Sequence, residues 1–251
     1  GGFGARLPLP FIMSMRITEH SISSEALVTP RRVWVHHDDK GTAKNCLLWL
    51  DGEIYSGRVK APDIIAKSQA SGVLPALTCV YLPNDSQEGR HADYTCDEAF
   101  ADFLALEMPR WIDREAGQFE CLFLCGLSLS GLQAVFTALR HPGIFAGVLA
   151  QSPSAWWRDE SLAASVTSFS STRQRFWLSV GTGELQENLR HPPTALHQKV
   201  SQLTSVRRLS EAMSQSGHAV HLHEFDGGHD PAFWGEELTE ALDWLLLGPG
   251  T

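Results

Sequence analysis

Basic residues are in short supply. Twenty Lys and Arg stand against 29 Asp and Glu in 251 residues, a formal charge of −9 with His neutral. A nucleic-acid backbone or an anionic lipid surface needs the opposite balance, so neither is expected as the main partner. Long apolar runs are missing as well, and nothing nears the roughly 18 residues that a membrane span requires. Cysteines are few and odd in number: Cys46, Cys79, Cys96, Cys121 and Cys125. All but Cys96 fall in apolar, strand-like stretches. They read as small buried hydrophobes rather than a disulfide framework, which favours a reducing compartment and a cytoplasmic protein. Repeats, low-complexity tracts and linkers are absent, so residues 15–251 are expected to form one domain. The segment "RLPLPFIM" is basic then apolar, but it is short and broken by Pro8 and Pro10, a poor signal peptide. The chain begins Gly-Gly, with Met13 and Met15 as candidate starts, and residues 1–14 read as a leader or a remnant of expression. Oligomeric state leaves no trace in the sequence.

What is present is alternation. With 43% hydrophobic residues the chain can build a sizeable core. "RRVWVHH" (31–37) alternates polar and apolar, as a half-buried edge strand does. "CLLWL" (46–50), "PALTCVYL" (75–82), "ECLFLCG" (120–126), "FAGVLAQSP" (145–153) and "RFWLSVGTG" (175–183) are short apolar strands, each running into a loop. "HAVHLHEFDGGHD" (218–230) is the last strand and its loop. Helical spacing marks 96–112, the stretch behind residue 131, roughly 193–216, and a closing helix lined by Trp234, Leu238, Ala241 and Leu245. Strands and helices taking turns predict an α/β fold with a mostly parallel sheet covered on both faces. Functional groups then belong on loops at the carboxyl ends of the strands, near Asp51, Gly126, Gln151, Gly181 and Asp226.

"CGLSLSG" (125–131) joins a strand to a helix and offers two serines. A nucleophilic serine on such a turn needs very small residues two positions before and after it, because strand and helix backbones pass close there. Ser128 has Gly126 before it and Ser130 after it, followed by Gly131. Ser130 would have Leu132 in the second position, which would obstruct the crossing. Ser128 is the candidate nucleophile, and an ordinary strand–turn–helix joint is the alternative. Its base should be His229 in "DGGHD", since two glycines let that loop fold inward; otherwise His229 merely precedes a helix. An orienting acid is expected between the two. Glu184 in "VGTGE" fits best, with Asp226, Glu187 or a Ser–His dyad as alternatives. His221, His223, Asp226, His229 and Asp230 crowd one segment, but no H-E-x-x-H spacing is present, so no metal or other cofactor is expected.

Taken together, "LLWLDGE", "CGLSLSGLQAVFTALRHPGIFAGVLAQSPSAWW", "VGTGE" and "DGGHDPAFWGEEL" resemble the enterochelin (ferric enterobactin) esterases and related esterase-D-type α/β-hydrolases, from about residue 45 to the C-terminus. The resemblance implies an α/β-hydrolase fold and an esterase that opens the seryl trilactone of a ferric catecholate siderophore. Its nucleophile, base and acid fall by motif on Ser128, His229 and Glu184. The backbone N–H of Leu129 and one from the Asp51-Gly52-Glu53 turn, at Gly52 or Glu53, would form the oxyanion hole, the glycine letting the backbone approach closely. Relatives carry an arginine and then an acid after the fourth strand, matched by Arg90 and Asp93. Arg90 would then hold an anionic substrate or form a salt bridge with Asp93. Trp156 and Trp157 would wall an aryl ring, or one of them would be plain core. Two departures stand out. Ser130 occupies a position usually held by glycine, and these residues hold no counterpart of the large N-terminal domain of the intracellular enterochelin esterases, so a likeness to their shorter, single-domain relatives is expected. The superfamily also holds feruloyl, acetyl-xylan and short-chain esterases, which leaves a simple aryl or acetyl ester as the alternative substrate. A non-catalytic binding protein on the same fold is a further alternative.

Overall fold

The computed structural model describes residues 16–247 except Asp39, Asp85, Ser170, Ser171 and Pro193; the expected leader at 1–14 lies outside them. Eight strands form one sheet in the order β1-β2-β4-β3-β5-β6-β7-β10. They are β1 (Ile17–Ile22), β2 (Arg31–His36), β3 (Asn45–Leu50), β4 (Leu77–Leu82), β5 (Cys121–Leu127), β6 (Gly147–Gln151), β7 (Arg175–Gly181) and β10 (Ala219–Phe225). A hairpin of β8 (Leu189–Arg190) and β9 (His197–Gln198) stands apart. The pairs β1/β2 and β2/β4 are antiparallel, and every other pair in the large sheet is parallel. The helices are α1 (Gly52–Ile54), α2 (Ala61–Ala70), α3 (Gln87–Asp93), α4 (Glu98–Asp102), α5 (Met108–Glu115), α6 (Ser128–Arg140), α7 (Trp157–Ser165), α8 (Gln202–Gln215) and α9 (Pro231–Leu247).

The apolar runs have a direct cause: both faces of the central strands are buried. Cys46, Leu48 and Leu50 of β3 belong to one core cluster together with residues of α4, α5, α6 and α8, while Leu47 and Trp49 belong to a second with residues of α2 and α9. A period of two is present but invisible as polarity, because neither face meets water. From β3 the chain crosses to β4 on one side and later to β5 on the other. Loops after β3 and β5 therefore flank the crevice where the strand order reverses.

Three expectations need correction. The strand at 31–36 is not an edge strand, because β1 pairs along its outer side. The helix expected over 193–216 begins only at Gln202, with Ser201 Oγ accepting the Thr204 N–H at 3.1 Å. Pro192 and Pro193 lack the N–H groups a helix needs, and the chain there carries the small hairpin. The helix expected over 96–112 is two α-helical pieces, Glu98–Asp102 and Met108–Glu115, joined by a π-type turn at Phe103–Glu107. Cys46, Cys79 and Cys125 are buried and unpaired, and Cys121 is half-buried and unpaired. Among the described residues no helix is long and apolar enough to cross a membrane.

Below the carboxyl ends of β6 and β7 lies a buried polar knot. Glu237 of α9, 5% exposed, accepts hydrogen bonds from Gln151 Nε2 at 2.6 Å and from Ser179 Oγ. Gln151 also donates to Trp234 O at 2.9 Å and accepts from the Tyr55 hydroxyl at 2.9 Å. Burial pushes the Glu237 carboxyl from its ordinary 4.5 up to about 7, with its hydrogen-bond donors opposing. The folded protein thus holds a proton there over a pH range in which the unfolded chain has lost it. This stabilisation is complete below about pH 4.5 and disappears as pH rises through about 7, a contribution of roughly 3 kcal/mol. Urea unfolding between about pH 5 and 8 is expected to show a Glu237-dependent decline of stability with pH, read as the difference between the native chain and Glu237→Gln. It stands against the opposing rise from His36, His91, His218 and His221, whose pKa values burial lowers. An unchanged slope in the variant would assign the decline to other groups.

Candidate active site

The loop after β5 turns so sharply that Ser128, the first residue of α6, adopts a left-handed backbone with φ 53°. The need for glycine at 126 is steric: a Cβ there would lie 2.3 Å from Ser130 O. Ser130 is fully buried and ties the crossing together. Its hydroxyl donates to Leu127 O at 2.8 Å and accepts the Leu127 N–H at 2.9 Å. This is how serine stands in place of the usual glycine, and it leaves Ser130 Oγ no access to a ligand. Ser128 instead faces a cleft.

Glu184 and His229 are brought to Ser128 by backbone contacts between two loops. Thr182 N–H donates to Phe225 O at 2.9 Å and Gly183 N–H to Gly227 O at 2.8 Å. Side chains at 181 or 183 would collide with Gly227 O, since a Cβ would lie 2.4 Å from it at the first position and 2.8 Å at the second. The result is a relay. His229 Nδ1 lies 2.7 Å from Glu184 Oε2, and His229 Nε2 lies 3.1 Å from Ser128 Oγ. A carboxylate only accepts, so Nδ1 carries the proton and Nε2 is left as the acceptor facing the hydroxyl. Glu184 is 3% exposed, and its other oxygen accepts from Gly181 N–H at 2.8 Å and Ser152 Oγ at 2.6 Å. Ser152 in turn accepts the Trp234 indole N–H at 3.1 Å. Among the described residues Asp226 and Glu187 make no hydrogen bond to the imidazole.

Across the cleft, Asp51 follows β3 in a left-handed conformation with φ 50°. It is fully buried, its N–H donates to the Tyr94 hydroxyl at 3.1 Å, and its carboxylate takes Arg90 Nε at 2.8 Å and Nη2 at 2.7 Å. The Arg90–Asp93 salt bridge, one of the two readings of Arg90, is not formed. Asp93 pairs with Arg31, at 2.9 and 3.1 Å, because the guanidinium of Arg90 points at the turn after β3. The first N–H groups of α1, at Gly52 and Glu53, lack intrahelical acceptors, as the Leu129 N–H of α6 does. Glu53 lines the cleft, and burial raises its carboxyl above the usual range, with the neighbouring Asp51 charge adding to the effect. The close approach that Gly52 permits is to β4, not to a ligand: a Cβ there would sit 2.9 Å from Leu82 N.

Two chambers, of about 470 and 370 Å³, meet at Ser128. Arg90 lines both, and Trp156 lines the second. Trp157 is core, with the Arg158 guanidinium 4.5 Å from its ring. His221 and His223 stack on Trp177, at 4.2 and 5.5 Å between ring centroids. Among the described residues no three His, Cys, Asp or Glu side chains gather to hold a metal. Sequence reasoning missed Ser152, which sits at the carboxyl end of β6 in the flagged "QSPS" loop. It also missed Asp51 as the partner of Arg90, a pairing across 39 residues that only the fold reveals.

The family model described as "Putative esterase" matches residues 24–245. The iron(III) enterobactin esterase of Dickeya dadantii is 27% identical over 248 residues, covering 93% of this chain and 55% of that protein. The chain thus spans about half the length of that relative. The solved structure of the enterobactin esterase FES from Shigella flexneri in the presence of enterobactin superposes with a TM-score of 0.78 at 22% identity, over 92% of this chain and 59% of that one. The siderophore hydrolase EstA from Aspergillus nidulans gives 0.68 at 17% identity, over 97% and 98% of the two chains. The fold is that of the α/β-hydrolases, and the chain belongs to the esterase family whose model it matches.

Proposed function

We propose that the chain is a serine carboxylester hydrolase that opens the ester bonds of a catecholate siderophore through an acyl-enzyme on Ser128. The observation that carries this reading is the relay from Ser128 Oγ through His229 to Glu184, at 3.1 and 2.7 Å. His229 takes the hydroxyl proton as Ser128 Oγ attacks the ester carbonyl, and Glu184 stabilises the imidazolium that forms. The carbonyl oxygen gains negative charge and is met by the Leu129 N–H and an N–H of the Gly52-Glu53 pair. Each such donor is worth about 3 kcal/mol in the transition state. The imidazolium then protonates the departing alkoxide, and a water activated by the same ring releases the acyl group.

The siderophore part of the reading is supported by the similarity to the Dickeya dadantii iron(III) enterobactin esterase and by the cation and aromatic groups beside Ser128. The substrate is a small molecule, with iron as its cargo, and no resident cofactor is invoked. Arg90 acts twice in this reading. It holds the Asp51 turn through its Nε and Nη2, and the rest of its guanidinium lines both chambers as a hydrogen-bond donor. A cytoplasmic location suits the unpaired cysteines.

Ser128→Ala or His229→Ala is expected to lower kcat by roughly 10⁵–10⁶, and Glu184→Ala by about 10⁴. Asp226→Ala should stay close to the native rate; a collapse there with Glu184→Ala intact would move the acid. Ser152→Ala removes a charge-assisted hydrogen bond from Glu184 and should cost about tenfold in kcat, a loss smaller than removal of the acid itself. Mass analysis of products from ferric enterobactin, with p-nitrophenyl acetate and butyrate alongside, tests the substrate. Ring opening to linear dihydroxybenzoylserine species, faster than hydrolysis of the simple esters, is the expected result. Hydrolysis of the simple esters alone would make this a general esterase.

A further inference from the structure

Two members of the relay meet one side chain that takes no part in the chemistry. Trp234 of α9 borders the larger chamber but is only 3% exposed, so it offers a ligand almost no surface. Its indole N–H donates to Ser152 Oγ at 3.1 Å. Its ring also stands against the His229 imidazole, with 5.0 Å between centroids and 89° between planes. One rigid group thus reaches Glu184 through Ser152, and His229 directly.

Each contact removes a freedom that the relay leaves open. A serine hydroxyl rotates and both donates and accepts, whereas an indole N–H only donates. With that N–H on its lone pair, Ser152 directs its own proton to Glu184 Oε1, 2.6 Å away. Gly181 N–H donates to the same oxygen at 2.8 Å. Every hydrogen bond from Trp234 onward therefore runs toward the carboxylate, and the His229 Nδ1 proton completes the set at Oε2. The imidazole has a different freedom. Its two hydrogen bonds, at Nδ1 and Nε2, leave the ring able to tilt about the line joining them. A perpendicular ring at this distance is a preferred aromatic pairing, and it opposes the tilt.

Trp234 can act as a reference point because its own place is fixed. Gln151 Nε2 donates to its carbonyl at 2.9 Å, and Gln151 is held in turn by Tyr55 and Glu237. The next residue, Gly235, packs so closely that a Cβ there would lie 2.9 Å from Val59 O.

We infer that Trp234 is a positioning residue of the reaction: its N–H sets the direction of the Ser152–Glu184 hydrogen bond, and its ring sets the tilt of the imidazole. The inference rests on the reading of Ser128, His229 and Glu184 as a catalytic relay.

The test measures kcat and KM for p-nitrophenyl butyrate, per active site counted by fluorophosphonate labelling. Trp234→Phe keeps a ring and loses the N–H, whereas Trp234→Leu loses both. Each is made alone and together with Ser152→Ala. Alone, Trp234→Phe is expected to lower kcat about threefold, the size of one modest hydrogen bond, with KM little changed. Beside Ser152→Ala it should cost nothing further, because the N–H then has no hydroxyl to direct. Trp234→Leu should lower kcat about 30-fold alone and about tenfold beside Ser152→Ala, the ring's share in both backgrounds. The rate of fluorophosphonate labelling is expected to follow kcat. In proton spectra the downfield Nδ1–H signal of His229, identified by its loss in His229→Ala, should persist in Trp234→Phe and broaden in Trp234→Leu. If Trp234→Phe does not fold, 3-benzothienylalanine at position 234 replaces it, keeping the bicyclic ring with sulfur in place of N–H. Full activity in Trp234→Phe, an equal loss with and without Ser152, a loss confined to KM, or an unchanged His229 signal in Trp234→Leu would overturn the inference while leaving the hydrolase reading intact. A native chain that neither cleaves the ester nor takes the label ends the hydrolase reading, and this inference with it.

Discussion

The structure turns on one close crossing, where β5 runs into α6 and the backbones of Gly126 and Ser130 touch. A left-handed serine at position 128 is the consequence, and such a residue costs on the order of 1–3 kcal/mol. It persists because its surroundings allow no alternative. Every residue from Leu129 to Leu139 is buried, so α6 cannot shift, and β5 is paired on both sides. The Ser130 hydroxyl completes the joint by satisfying both backbone groups of Leu127. The strain therefore presents one hydroxyl to the cleft while hiding the other.

Around that joint, two further loops are positioned by backbone rather than by side-chain recognition. The turn at Gly227 lies against Gly181 and Gly183, and these backbone contacts set His229 beside Glu184. The turn after β3 is fixed differently, by an ion pair with one member fully buried. Asp51 is closed off from water and Arg90 largely so, and removing one partner of such a pair leaves an uncompensated charge. Its bidentate geometry ties the turn after β3 to α3. Loops that carry chemistry are thus held by a scaffold of contacts that carry none.

Much of this is legible in the residues. The apolar strands, the parallel sheet and the closing helix follow from runs and periods, and Ser128, Glu184 and His229 from small neighbours and chain order. What cannot be read are pairings set by tertiary contact. Nothing near Arg90 in the sequence distinguishes Asp51 from Asp93, and the nearer acid is the natural choice. Ser152 looks like any loop serine, though its hydroxyl links Trp234 to Glu184. Arg190 and His191 adjoin a stretch whose helical spacing hides a hairpin, and the prolines at 192 and 193 are the available signal. Of the adjacent tryptophans, only the fold separates Trp156 at the cleft from Trp157 in the core.

The central claim is that Ser128 is an activated nucleophile. Reaction of the folded protein with a fluorophosphonate, followed by peptide mapping of the adduct, tests it most directly. The account predicts one phosphonylated serine, Ser128, with labelling lost on denaturation because the imidazole that activates the hydroxyl is no longer beside it. No adduct, or an adduct on Ser154 or another serine, would contradict it.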